Sequence, residues 1–280
     1  MPLISKSESS APWLFLNILG LDAALIAVVW QELFAKQLHV LLNWPERITI
    51  FSLVWAIYLL DRWMDGRRLA KQPLETQQHA PRRHQSAMRH AAMHLTAAFI
   101  LLLLSSFLAV FHLPRIIIFD AAPIALICCL YFLWINTRRN ASPQMFKKSL
   151  VVSSVFTAGI ACAPLAITLL RPLDLLPLLL TVWLTMNANS FAIARAEARL
   201  TRQTNEEKFL NPQKWIFSGI LAAGIFTFLQ GEPSILPIAC LVSLFLLFGI
   251  TLIRQHLSPE TNTSAFEAAL ILPAFLLFFY

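Results

Sequence analysis

Two aspartates, Asp61 and Asp65, have the spacing most suited to chemistry in this sequence. Residues four apart lie on one face of a helix, about one turn from each other, so both carboxylates could hold a single divalent cation. Mg²⁺ is commonly bound in this way, through one or two carboxylates and the oxygens of a bound phosphate. Because Arg62, Arg67 and Arg68 flank the pair, a set of interfacial salt bridges is the competing interpretation.

A second group of polar residues closes a later apolar run. Its members could present oxygens or cations at one helix end; they are Asn187, Asn189, Ser190, Arg195, Glu197 and Arg199. Further cations that could meet a phosphate lie between apolar runs, at Arg82, Arg83, Arg138 and Arg139. Such a set of residues suits a diphosphate, because the acids would hold its magnesium ions and the Arg and Lys side chains would bind the diphosphate oxygens that the metal leaves free. Asp61, Asp65 and Glu197 are therefore the candidate metal ligands of a diphosphate site. An apolar remainder of the same ligand, lying between helices, points to a polyprenyl diphosphate.

The composition places this site in a membrane. Of the 280 residues, 58% are hydrophobic and 13% charged, against about 45–50% and about 25% in an ordinary soluble domain. Apolar runs near 20 residues are typical of membrane-spanning helices rather than of barrel strands. We predict an all-α integral membrane protein with nine spans, at about 12–35, 46–64, 91–112, 115–136, 149–170, 173–194, 213–230, 234–254 and 265–279.

Basic residues are sorted strongly between the connections of these nine spans. All but four of the 22 Lys and Arg residues lie on one side, which holds the N-terminus and the connections after spans two, four, six and eight. The exceptions are Lys36, Arg47, Arg115 and Arg171. This asymmetry predicts a cytoplasmic N-terminus and a C-terminus on the opposite side, in a bacterial inner membrane. The net charge of +7 follows from the same rule and from attraction to anionic lipids, so it does not favour nucleic-acid binding.

Both acidic groups leave the membrane on the same side, four spans apart. We therefore predict a single domain over 1–280, in which two parallel half-bundles, about 12–136 and 149–254, enclose a cavity and a last helix covers 265–279. Polar residues that could line this cavity are Asn17, Asp22, Tyr58 and Tyr131. A charge at the bilayer centre costs about 2.5–3.5 kcal/mol, which makes Asp22 a functional candidate, although a helix-packing hydrogen bond is the competing interpretation.

Several of these segments resemble the UbiA superfamily of intramembrane prenyltransferases. The run from Asp61 to Arg67 is similar to the second half of that family's first aspartate-rich motif, N-D-x-x-D-R-x-x-D-G, whose leading Asn and Asp fall here on Ile57 and Tyr58. Residues 137–144 resemble its K-R-x-x-x-x-P-Q segment, and Ala158-Gly159 resembles part of a small-residue stretch in its fifth helix. The family's nine helices and the position of its second acidic motif, after helix six, match the predicted layout.

The resemblance implies Mg²⁺-assisted transfer of an isoprenyl group from a polyprenyl diphosphate to a lipophilic acceptor, often an aromatic ring, with Asp61, Asp65 and Glu197 as the catalytic acids. The second acidic motif is reduced here to Asn187, Asn189 and Glu197. Two alternatives therefore stay open beside the enzyme. One is a non-catalytic relative that binds an isoprenoid lipid, and the other is a secondary transporter, which the helix-end position of the acids disfavours.

Overall fold

The computed structural model describes residues 12–74, 77, 80, 82–137, 145–168, 175–200, 210–230 and 234–279, and over these residues it is helical without a strand. A helix satisfies its own backbone hydrogen bonds, which is what lipid surroundings require of a chain. Six of the described helices are long and apolar enough to cross a membrane. The prediction of an all-α protein with several membrane-spanning helices is therefore confirmed.

The helices follow the predicted apolar runs closely. The first part of the chain forms α1 Pro12–Leu19, α2 Leu21–Gln37, α3 Trp44–Leu69, α4 Arg82–Arg89, α5 Ala91–His112 and α6 Arg115–Thr137. The second part forms α7 Met145–Ile167, α8 Leu176–Leu200, α9 Pro212–Gln230, α10 Ile235–Ile253 and α11 Pro259–Ile271, with 3₁₀ turns at Arg254–His256 and Leu272–Phe278. Three predicted runs also form helices, but these are not among the six long apolar helices; the runs are 12–35, 46–64 and 213–230.

The core is centred on α8, which packs against α7, α9, α10 and α11. Its buried Val182 and Met186 belong to one apolar cluster with Trp30 and Phe34 of α2 and Leu244 of α10. Helix α2 also contacts α3, α7 and α11, so it joins both parts of the chain. Helix α6 is largely exposed, and its outward apolar surface suits contact with lipid chains.

Two local features differ from the predicted pattern. The first run is not one continuous helix, because Gly20 adopts a left-handed backbone (φ 69°) between α1 and α2. A Cβ atom at this position would lie 2.7 Å from Cδ1 of Tyr58, so glycine is favoured by both backbone and space. The second difference is α4, a short polar helix within a predicted connection, which packs on the end of α3.

Candidate functional site

Asp61 and Asp65 converge on one cation, the ammonium group of Lys148. Lys148 Nζ lies 3.2 Å from Oδ1 and 3.0 Å from Oδ2 of Asp61, and 3.4 Å from Oδ2 of Asp65. The two aspartates share a face of α3, as their spacing predicted, and the lysine comes from the first turns of α7. Arg68 adds a longer contact, with Nη1 3.5 Å from Oδ1 of Asp65.

Glu197 of α8 joins the same group through residues of α4. Its Oε1 atom forms an ion pair with Nη2 of Arg83 and lies 3.8 Å from Nε2 of His84. The other ring nitrogen of His84, Nδ1, lies 3.9 Å from Oδ2 of Asp65. One imidazole ring thus separates the carboxylates of Asp65 and Glu197. We call Asp61, Asp65 and Glu197 the acid cluster.

The charge states at α4 follow from its burial. Burial lowers the pKa of the His84 imidazole well below its ordinary value, and the positive charges of Arg83 and Arg62 lower it further. His84 is therefore neutral between two carboxylates near pH 7. Burial is also the first cause, and neighbouring Arg62 the second, that lowers the pKa of Arg83, although a guanidinium stays charged at any physiological pH.

A second polar group lies deeper in the bundle, and we call Asn17, Asp22, Tyr58 and Glu267 the inner network. The Asn17 amide nitrogen donates to Asp22 Oδ2 at 2.9 Å and to Glu267 Oε2 in a closer contact. Tyr58 donates from its hydroxyl to Oε1 of Glu267 at 3.3 Å, and the Ala23 amide donates to Oδ1 of Asp22. Each of the four carboxylate oxygens thus accepts a hydrogen bond.

Arg62 lies between the acid cluster and the inner network. Its guanidinium is 4.7 Å from the centre of the Tyr58 ring, and it is close enough to Asp22 and Glu267 for electrostatic attraction. The side chain is 3% exposed, yet neither Nη atom has a hydrogen-bond partner among the residues described. Nη1 of Arg83 is also buried without a hydrogen-bond partner among the described residues. Buried donors of this kind are costly unless a ligand accepts from them.

Close packing between helices places these side chains. A Cβ atom at Gly66 would lie 2.8 Å from backbone atoms of Ala87 and Met88, so only glycine lets α4 approach α3. The Gly20 break allows Asn17 and Asp22 to approach each other from two helices. Glycine at 66 is buried inside α3 and does not end that helix, which continues to Leu69.

The polar residues of the second predicted group have mainly a packing role in the structure. Asn187 is fully buried, accepts from Ser153 at 2.8 Å and donates to the Trp183 carbonyl at 2.8 Å. Ser190 donates to the carbonyl of Ser149, the residue after Lys148, at 3.5 Å. These bonds fix the start of α7 against α8 and thereby position Lys148. Asn189 is buried, and its Oδ1 atom has no partner within the described ranges.

The remaining predicted residues are placed as follows. Arg67 is exposed, with its guanidinium 4.8 Å from the ring centre of Trp63. Arg82 and Arg199 are exposed, and Arg195 is half-buried near the end of α8. Tyr131 of α6 lies within electrostatic reach of Lys148 and Asp61, and its buried hydroxyl has no partner within the described chain. Arg138 and Arg139 lie outside the described residues, as does most of the predicted K-R-x-x-x-x-P-Q segment.

Three residues of this region were not among the predicted site residues: His84, Lys148 and Glu267. Lys148 and His84 lie in basic segments, where neither spacing nor charge distinguishes them from neighbouring cations. Glu267 has a clearer signal, because an acid inside an apolar run is a functional candidate by default. The same reasoning singles out Asp22, which accepts a hydrogen bond from the same Asn17 amide nitrogen as Glu267.

An apolar groove of about 660 Å³ opens between α6, α7 and α8. Its lining includes Pro123, Ala158, Leu179 and Trp183, with Asp120 as its one charged residue. The nearest lining residue of α7 to the acid cluster is Ser154, six residues or about 9 Å along the helix from Lys148. On α6 and α8 the groove is lined by residues 119–124 and 176–183, near the starts of those helices, so only its α7 wall extends towards the acid cluster.

The acid cluster brings together carboxylate oxygens, which are the kind of ligand that Mg²⁺ prefers. Lys148 Nζ marks a point that three carboxylate oxygens of Asp61 and Asp65 approach within 3.4 Å. Two carboxylates plus phosphate oxygens are a usual Mg²⁺ environment. Within the described ranges, no group of three or more His, Cys, Asp or Glu residues has the arrangement of a preformed metal site. Comparisons of the chain with models of protein families, with curated proteins and with solved structures found no match.

Proposed function

We propose that the chain is a UbiA-like prenyltransferase, which moves an isoprenyl group from a polyprenyl diphosphate to a lipophilic acceptor with the help of Mg²⁺. The observation that carries this proposal is the meeting of Asp61, Asp65 and Glu197. They come from two helices far apart in sequence and lie beside buried guanidinium groups. Acids for a metal ion and donors for phosphate are thus available at one end of an apolar bundle.

The residues have distinct tasks in this proposal. Arg62 and Arg83 donate from their unpartnered Nη atoms to the diphosphate, and Lys148 exchanges its carboxylate contacts for a phosphate oxygen. Mg²⁺, held by Asp61 and Asp65, would supply charge neutralisation on the departing diphosphate. The fixed cations stabilise the negative charge that develops as the allylic C–O bond breaks. In this proposal, the helices that enclose the prenyl chain would keep water from capturing the prenyl cation.

The apolar groove is the proposed location of the prenyl chain. Its volume of about 660 Å³ is within the range of lipophilic ligand sites, about 300–1,000 Å³. A ligand whose diphosphate lies at Lys148 would reach the groove along α7. Tyr131 of α6, which lies within electrostatic reach of Lys148 and Asp61, offers an aromatic ring that could stabilise cationic character at the reacting carbon.

The proposal includes the finer topology. We propose nine spans, in two parallel half-bundles plus a last helix. Three spans are then needed beyond the six long apolar helices, and they are α1 with α2 as one span, α3, and α9. The distribution of Lys and Arg then gives a cytoplasmic N-terminus and site. Such an arrangement admits water-soluble Mg²⁺ from one side and lipid substrates from the bilayer.

A second candidate function has an observation in its favour. All three acids of the cluster already have cationic partners, Lys148 for the aspartates and Arg83 for Glu197. A protein that binds a prenyl diphosphate without breaking its C–O bond needs only positively charged side chains for the phosphates, and no metal ligands. This non-catalytic, isoprenoid-binding relative is the alternative to the transferase.

The deciding experiment measures diphosphate release from a prenyl diphosphate by the purified protein in lipid vesicles, with Mg²⁺ or with EDTA. We expect Mg²⁺-dependent release that Asp61→Asn lowers by about a hundredfold or more, because it removes a metal ligand. Glu32→Gln is the matched control, since Glu32 pairs with Arg47 outside the acid cluster. Tight binding of the prenyl diphosphate without release, across a panel of aromatic and alcohol acceptors, would instead establish the binding protein.

A further inference from the structure

The proposed transfer to an aromatic acceptor requires a base that the acid cluster does not supply. The prenyl group takes the place of a hydrogen on the acceptor, and this hydrogen has to leave as a proton. Asp61 and Asp65 contact Lys148 and are the proposed metal ligands. Glu197 forms an ion pair with Arg83. The base is therefore expected elsewhere, close to the reacting carbon.

Asp22 and Glu267 of the inner network form a buried pair of carboxyl groups, which we call the acid pair. Oδ2 of Asp22 and Oε2 of Glu267 accept hydrogen bonds from the same amide nitrogen of Asn17, so the two carboxyl groups are neighbours. Two carboxyl groups this close in a buried site cannot both be ionised, and they share one proton. The acid pair thus holds one carboxylate that can accept a second proton.

Helix α3 places the acid pair beside the proposed diphosphate site. Tyr58 donates from its hydroxyl to Glu267 at 3.3 Å. Arg62 follows one turn later, with its guanidinium 4.7 Å from the centre of the Tyr58 ring and within electrostatic reach of Asp22 and Glu267. Both Nη atoms of Arg62 are buried without a hydrogen-bond partner among the described residues. A diphosphate bound there would bring its reacting carbon close to the acid pair.

Ser264 adds a second polar group without a partner. It lies three residues before Glu267 in α11, on the same face of the helix, and it is 7% exposed. Its Oγ atom has no hydrogen-bond partner within the described part of the chain. A ligand hydroxyl placed here could donate to the acid pair and accept from Ser264.

We infer that the acid pair, Asp22 and Glu267, is the base that accepts the hydroxyl proton of a phenolic acceptor as its ring attacks the prenyl carbon. This inference rests on the proposed function. The allylic C–O bond breaks, and its electron pair leaves with the diphosphate. The ring forms the new C–C bond while the O–H bond breaks and its proton passes to the carboxylate of the acid pair. The resulting dienone becomes a phenol again by moving the hydrogen of the substituted carbon to the oxygen.

The experiment compares two acceptors, phenol and 2,6-difluorophenol, with farnesyl diphosphate as the donor and the full chain in lipid vesicles. The double variant Asp22→Asn with Glu267→Gln removes both carboxyl groups and keeps their shape. Formation of prenylated phenol should fall by about a hundredfold in this variant, because the base is lost. The difluorophenol is already ionised at mildly alkaline pH and needs no base, so with this acceptor the variant should approach the wild-type rate.

The comparison between acceptors does not depend on how much of the protein is folded, because the same sample is used for both. Asp22→Asn alone is the second variant and should show the same pattern in smaller degree. Glu32→Gln, which removes a carboxylate outside the inner network, should behave as the wild-type protein does with both acceptors.

Equal losses with both phenols in the acid-pair variants would overturn the inference, because a purely structural role affects both acceptors alike. The neutral imidazole of His84 is the rival base. A loss with phenol that difluorophenol relieves in His84→Gln, and not in the acid-pair variants, would also overturn the inference.

Failure of the proposed function gives different results. Diphosphate release by the wild-type protein without prenylation of either phenol would overturn the phenolic acceptor and leave the transferase standing. Absence of both diphosphate release and prenylated product in the wild-type protein would overturn the transferase, and the proton step with it.

Discussion

At the scale of single residues, Lys148 is the most informative side chain of the acid cluster. An ammonium group within 3.4 Å of three carboxylate oxygens occupies the place where two aspartates of this spacing would hold a metal ion. In the proposed mechanism, the lysine would compete with Mg²⁺ for Asp61 and Asp65 in the absence of ligand. When a diphosphate enters, its oxygens offer Lys148 an alternative partner.

Lys148→Met should raise the affinity of the protein for a divalent cation by about tenfold, because two carboxylates lose their resident counter-ion. The measurement is titration with Mn²⁺, followed by electron paramagnetic resonance, in the absence of diphosphate. Lys147→Met is the matched control, since the Lys147 side chain is exposed and its removal should leave Mn²⁺ affinity unchanged. Equal affinities for Lys148→Met and the wild-type protein would contradict a shared cation position between the two aspartates.

At the scale of elements, α4 decides whether the cluster is complete. This short helix carries both Arg83 and His84, and it reaches α3 only because Gly66 has no side chain. Through α4, Glu197 contacts Arg83 and His84, and His84 in turn lies near Asp65. Displacement of one short helix would therefore separate Glu197 from Asp65 without changing any charged residue.

Gly66→Ala should lower diphosphate affinity by about tenfold, because its Cβ atom would push α4 and Arg83 away from the site. Isothermal titration with inorganic diphosphate measures this directly. Gly249→Ala is the control, since a Cβ atom at that helical position meets no atom within 4 Å. That substitution should leave binding unchanged and raise stability slightly, by up to about 1 kcal/mol. Wild-type affinity in Gly66→Ala would show that α4 does not position Arg83 for the anion.

At the scale of the whole molecule, the sequence predicts an asymmetric distribution of charge across the membrane. In the predicted nine-span arrangement, the connections that hold most of the Lys and Arg residues lie on the same side as the acid cluster. The cluster is therefore expected at the cytoplasmic surface. Inside the bundle, hydrogen bonds from Asn17 and Tyr58 satisfy the buried acids Asp22 and Glu267 in the inner network.

The orientation can be tested with single cysteines and a membrane-impermeant maleimide on intact cells. Leu41→Cys lies between α2 and α3, at a residue that is 91% exposed, and should react from outside. Ala70→Cys follows α3 at an exposed position and should react only after the membrane is permeabilised. The wild-type protein, whose four cysteines lie in apolar runs, serves as the background. Reaction of Ala70→Cys from outside would contradict the predicted orientation.

Much of the fold and part of the site could be predicted because they depend on local patterns. The helix boundaries followed from runs of apolar residues, and the shared face of Asp61 and Asp65 followed from helical spacing. The break at Gly20 and the helix α4 could not be recognised in this way. Each depends on what a distant side chain or backbone does, such as Tyr58 beside Gly20.

By itself, the sequence determined that this protein is a helical membrane protein with acids and guanidinium groups at the ends of its helices. Hydrophobic length and helical period are properties of short segments, so they are visible without a fold. Only the tertiary structure decided which cation meets which acid: Lys148 for the aspartates, Arg83 for Glu197, and the inner network for Arg62. These pairings join residues from separate helices, and the electrostatic energy that selects them depends on distance in space rather than in sequence.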